Sequence, residues 1–157
     1  MIIVADTSFL NYLVLIDEIE LLPLLFGRVL VPTAVSRELT HPKTAAMVRK
    51  WIEDCPSWLE VRAVGPGSNP LLRGLDDGER QAIQLALELN ISTVLIDEAE
   101  GRRIAAHLHL EVRGTLGILE RGAKLGKTNL RRALSRLDQT TFRMSPTVGA
   151  ALLARNP

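Results

Sequence analysis

The chain has 157 residues, 46% of them hydrophobic, a net charge of +1 and a single cysteine, Cys55. That is enough for one domain, spanning residues 1–157, with a real core, and it argues against disorder. No charge-free apolar stretch is long enough to cross a bilayer and the chain opens into a strand rather than a signal peptide; one cysteine forms neither an internal disulfide nor a cysteine-based zinc site, which fits a reducing cytoplasm.

Ile2–Ala5 is a short apolar run of the kind found in buried parallel strands, and it stops at Asp6, Thr7 and Ser8. Residues 8–16 and 18–26 read as leucine-rich helices, with a break near Asp17 and a stop at Gly27. A strand follows over 28–31. Pro32 suits the first position of a helix reaching Leu39. A helix over 44–54 is closed by Pro56, and 59–64 is strand-like. Residues 65–70 (Gly-Pro-Gly-Ser-Asn-Pro) form the obvious loop.

Asp76-Asp77-Gly78-Glu79 opens a helix through Leu89, with Ala82, Ile83, Ala86 and Leu87 on its apolar side. Residues 92–96 form a second buried-type strand, which also ends in an acid, Asp97. A helix over about 99–109, a strand over 111–113 and a helix from Thr115 to about Gly126 come next, and helices over 129–137 and 147–154 close the chain. Strands alternating with helices predict an α/β fold, a three-layer α/β/α sandwich around a mostly parallel sheet.

Charge is unevenly spread. From Arg121 onward there are eight bases and one acid, Asp138, so the first 120 residues are net acidic. This basic segment is either a solvated helix face or a cationic surface for a phosphate backbone, with Lys124, Lys127, Arg131 and Arg132 as its candidates.

In an open parallel sheet, ligands bind outside the carboxyl ends of the strands. Asp6 and Asp97 both end strands, so they can converge there. Glu79 lies in the first turn of its helix, and Glu38 follows Val35 by three, beside that helix's inward side. Carboxylates crowded around one small site repel one another and favour a hard divalent cation, Mg²⁺ or Mn²⁺. Each acid also has a simpler reading. Asp6 can cap the helix after it, Asp97 with Glu100 resembles a capping box, and so does Asp76 with Glu79. Glu38 is too late in its helix for that, although it can pair with Arg37 or His41 at the surface.

Other chemistries lack their residues. No glycine-rich phosphate loop follows the first strand, and no serine or cysteine nucleophile motif is present. His107 and His109, two apart, point to different helix faces.

The chain resembles the PIN domain family, the fold of many metal-dependent ribonucleases and of the VapC-type toxins, and most closely a prokaryotic branch catalogued as a domain of unknown function. The residues that carry the resemblance are 4–8 (Val-Ala-Asp-Thr-Ser), 31–35 leading to Glu38-Leu39, 75–79 with 82–86, 95–98 with Gly101-Arg102, and 114–119. The resemblance implies an acidic pocket of Asp6, Glu38, Glu79 and Asp97 that binds one or two Mg²⁺ or Mn²⁺ ions and hydrolyses RNA. It implies supporting roles for Ser8, Asp76, Asp77, Arg102 and Thr115. In the wider family the third acid is more often aspartate, where this chain has Glu79.

The expectation is a metal-dependent endoribonuclease, the toxin of a toxin–antitoxin pair, with RNA as substrate, a small antitoxin protein as partner, and a homodimer. The leucine-rich helices suit either a partner groove or ordinary core packing. The alternatives are a catalytically weak module that binds RNA or protein, and a metal-dependent phosphoesterase acting on DNA or small phosphate esters.

Overall fold

Ile3 and Ala5 face one side of a sheet and Val4 the other, and all three are fully buried. That two-sided burial is why the strand reads as a continuous apolar run. The computed structural model describes residues 1–67 and 69–157; Ser68, within the predicted 65–70 loop, lies outside the described residues.

The sheet has five parallel strands: β1 (Ile2–Ala5), β2 (Arg28–Pro32), β3 (Leu59–Arg62), β4 (Thr93–Leu95) and β5 (Glu111–Arg113). Their spatial order is β3-β2-β1-β4-β5, with Val4 opposite both Leu30 and Val94. Helices α5 (Asp77–Glu88) and α6 (Ala99–His107) cover the face of Val4, Leu30, Val94 and Ile96, burying Ala82, Ile83, Leu85, Ile104 and Ala105 there. The opposite face is covered by α1 (Thr7–Leu15), α2 (Leu21–Leu25), α3 (Thr33–Leu39), α4 (Ala46–Glu53), α7 (Thr115–Lys124), α8 (Leu130–Asp138) and α9 (Pro146–Arg155). This is the expected three-layer α/β/α sandwich. From β1 the chain winds outward through β2 to β3, then returns to β4 and winds the other way. The topological switch therefore lies between β1 and β4, where such folds place their ligand crevice.

Three helices end in the same way. Asp17, Asn90 and His109 each take a left-handed conformation just after a helix, with φ of 60°, 55° and 66°. The next amide closes back over the last turn, Glu18 N to Leu13 O at 2.8 Å, Ile91 N to Ala86 O at 2.9 Å and Leu110 N to Ala105 O at 3.0 Å. These are helix stops usually made with glycine. They end α6 at His107 rather than His109, and they take Glu18 out of the helix predicted over 18–26. Glu18 is instead buried, its carboxylate accepting from Thr128 Oγ1 at 2.5 Å. Pro32 is also reassigned: it ends β2 and caps α3 from an extended backbone, and does not begin the helix.

The leucines of α1 and α2 serve the core. Leu10, Leu13, Leu21 and Leu22 are buried, and Leu24 is the exposed exception at 59%. No helix among the described residues is long and apolar enough to cross a membrane.

Candidate active site

Asp6 follows β1 directly. Its amide donates to Leu95 O at 3.1 Å, which extends the β1–β4 pairing to the switch point. Its carboxylate caps α1, accepting from Phe9 N at 3.1 Å, and it is 1% exposed. Burial pushes the Asp6 carboxyl well above the usual range against the Phe9 bond that lowers it, and the charges of Asp97, Glu79 and Asp76 push it further. Capping and membership of an acidic cluster are thus both true of Asp6.

A cleft of about 460 Å³ opens at this point, with Asp6, Ser8, Asn11, Glu38, Lys43, Asp76, Glu79 and Glu98 among its walls. Glu79 comes from the first turn of α5, whose N-cap Asp76 accepts from Glu79 N at 2.9 Å. Glu79 is 7% exposed, and its Oε1 is buried without a hydrogen-bond partner. Its carboxyl is pushed up to about 7, first by burial and then by the charges of Asp76 and Glu98.

Glu38 does cap a helix, but not its own. Its Oε1 accepts from Gly78 N at 3.1 Å at the start of α5, and its Oε2 accepts from the Thr7 hydroxyl. This satisfies an orphan amide of α5 from 40 residues away and ties α1, α3 and α5 together around the cleft.

Asp97 likewise holds a distant helix. Its Oδ1 accepts from Thr115 N at 2.8 Å and its Oδ2 from Thr115 Oγ1 at 2.6 Å, fixing the start of α7. The expected capping box with Glu100 is absent: Glu98 takes the cap position of α6 without a side-chain bond, and Glu100 pairs with Arg103 at the surface. Burial raises the Asp97 carboxyl, opposed by the two Thr115 bonds and the nearby Arg102 charge. Asp97 lines a neighbouring cleft, so the four predicted acids divide, with Asp6, Glu38 and Glu79 in one cleft and Asp97 at the border of the next.

The remaining candidates sort by position. Ser8 lies at the cleft, its hydroxyl 3.5 Å from Asp6 Oδ1. Asp77 points outward and pairs with Arg80. Arg102 donates from Nη1 to Ile96 O at 2.9 Å, anchoring the end of β4 beside Asp97. Lys124, Lys127, Arg131 and Arg132 are exposed, and none lines the acidic cleft. Lys124 sits about 14 Å along α7 from Thr115 and pairs with Glu120.

Nothing in the sequence pattern marks the cleft's lysine, Lys43. It sits in the turn after α3, where Lys43 N donates to His41 Nδ1 at 3.0 Å and Thr44 Oγ1 to Glu38 O at 2.7 Å. Three glycines were also unmarked as site residues, and each leaves room for one acid. A Cβ on Gly78 would lie 2.8 Å from Thr7 Oγ1 and closer still to Glu38. One on Gly101 would lie 2.9 Å from Glu79 Oε1, and one on Gly114 2.6 Å from Arg102 Nη1 and 3.0 Å from Asp97 Oδ1.

The donors are carboxylates, the hard oxygen ligands that suit Mg²⁺ or Mn²⁺. The orphaned Glu79 Oε1 beside buried Asp6 is the feature that fits such an ion. Among the described residues no three histidine, cysteine or acidic side chains converge closely enough to hold one, because Glu38 and Asp97 are turned onto helix starts.

Fold and site together define a doubly wound α/β domain with an acidic crevice at its switch point. The chain belongs to the PIN domain family: the family model DUF3368, described as a PIN domain, matches residues 2–156. This is a nuclease-type fold. No curated protein and no solved structure matches the chain.

Proposed function

We propose that the chain is a metal-dependent endoribonuclease that hydrolyses RNA phosphodiester bonds at the crevice between β1 and β4. The observation that carries this reading is the unpartnered, buried Glu79 Oε1 in the same cleft as the fully buried Asp6. A buried acid without a partner is costly, and the cost falls when a cation is held against it.

Asp6 and Glu79 are the residues that would hold Mg²⁺ or Mn²⁺; Glu38 and Asp97 are engaged on the starts of α5 and α7 and add negative charge around them. When bound, such an ion lowers the pKa of water and offsets charge on the phosphate oxygens. The chain's own contributions are positional and acid–base. Thr7 and Gly78 hold Glu38, and Thr115 holds Asp97, so both carboxylates stay at the crevice without collapsing onto each other. Before a cation is bound, burial holds the Glu79 carboxyl up to about 7, so a cation taken up there would displace a proton from it at neutral pH. Lys43 faces the same cleft and binds the substrate phosphate there. The exposed bases Lys127, Arg131 and Arg132 add longer-range attraction for the RNA backbone outside the cleft.

The test is cleavage of a single-stranded RNA oligonucleotide with Mn²⁺ by the wild type and by Asp6→Asn. The expected loss is about a hundredfold or more. Equal rates would remove Asp6, and with it this centre, from the reaction.

A further inference from the structure

The Glu38 carboxylate spans the neighbours of Asp6 and Glu79. Its Oε2 accepts from the hydroxyl of Thr7, the residue after Asp6, and its Oε1 accepts at 3.1 Å from the amide of Gly78, the residue before Glu79. One side chain thus reaches 31 residues back along the chain and 40 residues forward, and both of its oxygens are in use. The helix that carries it is fixed in turn. Gln81 Oε1, from α5, accepts from Ala34 N at 3.1 Å in the first turn of α3, so α3 and α5 each satisfy an amide at the other's start. The Glu38 carbonyl accepts from Thr44 Oγ1 at 2.7 Å and from His41 N at 3.2 Å. The contact is also close-packed: Gly78 is buried, and a Cβ there would lie 2.8 Å from Thr7 Oγ1 and closer still to Glu38. A negative charge suits this place, because the dipole of α5 favours an anion at its start.

We propose that Thr7, Glu38 and Gly78 are positioning residues that set the spacing between Asp6 and Glu79, with Glu38 bridging the other two and not itself a ligand of the cation. The inference rests on Asp6 and Glu79 as the residues that hold the ion. The charges of those two repel, since that of Glu79 helps to push the Asp6 carboxyl up, and a brace between their neighbours holds them at one separation. A fixed separation matters most for a small ion. Mg²⁺ demands near-octahedral oxygens at about 2.0–2.1 Å, whereas Ca²⁺ accepts about 2.3–2.6 Å in flexible geometry. The bridge therefore favours the smaller cations over Ca²⁺. Glutamine at position 38 can keep both contacts, its carbonyl accepting from Gly78 N and its amide donating to Thr7 Oγ1, so Glu38→Gln removes the charge and spares the brace. Alanine there removes both.

The test measures Mn²⁺ uptake by the full chain at pH 7, from the paramagnetic resonance signal of free Mn²⁺, with Ca²⁺ as competitor. Amide exchange at Gly78 is followed by NMR in EDTA alongside. Glu38→Gln should bind Mn²⁺ within about threefold of the wild type, with unchanged discrimination against Ca²⁺ and unchanged exchange. Glu38→Ala and Thr7→Val each break a hydrogen bond to a charged group, and should weaken Mn²⁺ binding about tenfold or more. Both should also narrow the preference for Mn²⁺ over Ca²⁺ and speed exchange at Gly78. Thr7→Ser, which keeps the hydroxyl, should restore all three. If Glu38→Ala does not fold, Thr7→Val carries the comparison, since valine keeps the shape of threonine. Equal losses of Mn²⁺ affinity in Glu38→Gln and Thr7→Val would make Glu38 a ligand and overturn the proposal. So would wild-type affinity and wild-type Ca²⁺ discrimination in folded Thr7→Val, which would leave the bridge a contact of the fold alone. A wild type that takes up no Mn²⁺ removes the cation from Asp6 and Glu79. The exchange measurement then decides the bridge, and a wild-type rate at Gly78 in Thr7→Val would overturn it.

Discussion

Glu79→Gln separates the cost of the acidic cleft from its use. Glu79 is 7% exposed and its carboxyl is pushed from 4.5 to about 7, mainly by burial. Between those values the folded protein holds a proton that the unfolded chain has released. Its contribution to stability is therefore complete below pH 4.5 and is lost as pH rises through about 7. The full displacement corresponds to about 3 kcal/mol, and water reaching the cleft past the exposed Asp76 reduces it to about 1–3 kcal/mol. Glutamine keeps the shape and removes the charge. In EDTA at pH 8 the variant should melt about 3–8 °C above the wild type, and at pH 4.5 the two should nearly coincide. With Mn²⁺ the order should narrow or reverse, because the wild type gains about 2.7 kcal/mol at a hundredfold excess over Kd and the variant gains less. The reasoning is refuted if Glu79→Gln melts below the wild type at pH 8, or if the gap between them is the same at both pH values.

Gly101→Ala should cost about 1–3 kcal/mol in a denaturant titration, since its Cβ would meet Glu79 Oε1 at 2.9 Å and Ile96 Cγ2 at 3.1 Å. Its RNA cleavage should fall by more than the loss of folded protein explains. Glu120→Gln tests the surface instead. Arg155 and Lys124 hold the Glu120 carboxyl down to about 2, so its contribution is present above pH 4.5 and lost as pH falls through about 2. Both cations are exposed to solvent, so the variant should lose less than about 1 kcal/mol at pH 7 and much less at pH 2, as read by chemical denaturation.

The strands were legible because burial on both faces leaves an unbroken apolar run, as at residues 2–5 and 93–95, and because Asp6 and Asp97 interrupt those runs abruptly. The helix of Glu79 was legible from its cap, Asp76. What escaped the sequence is what depends on partners far along the chain. Glu38 reads as an unexplained late-helix acid until α5 brings Gly78 against it, 40 residues on. Asp97 reads as the cap of its own helix, yet it closes the start of α7 through Thr115, 18 residues on. Gly78, Gly101 and Gly114 belong to the stretches that carry the family resemblance, but the close approach of Glu38, of Glu79, and of Arg102 with Asp97 that each one admits has no local signature. Lys43 reaches its cleft only once α3 is in position. The end of α6 is two residues earlier than expected because His109, not a glycine, adopts the left-handed turn there.

The central claim is that Asp6 and Glu79 hold a divalent cation at the switch point of the sheet. Crystals soaked in MnCl₂ and measured at a wavelength where manganese scatters anomalously address it directly. The account predicts an anomalous peak in the cleft between Asp6 and Glu79, absent from Asp6→Asn crystals treated identically. A map without a peak there, at a Mn²⁺ concentration that supports RNA cleavage in solution, would contradict it.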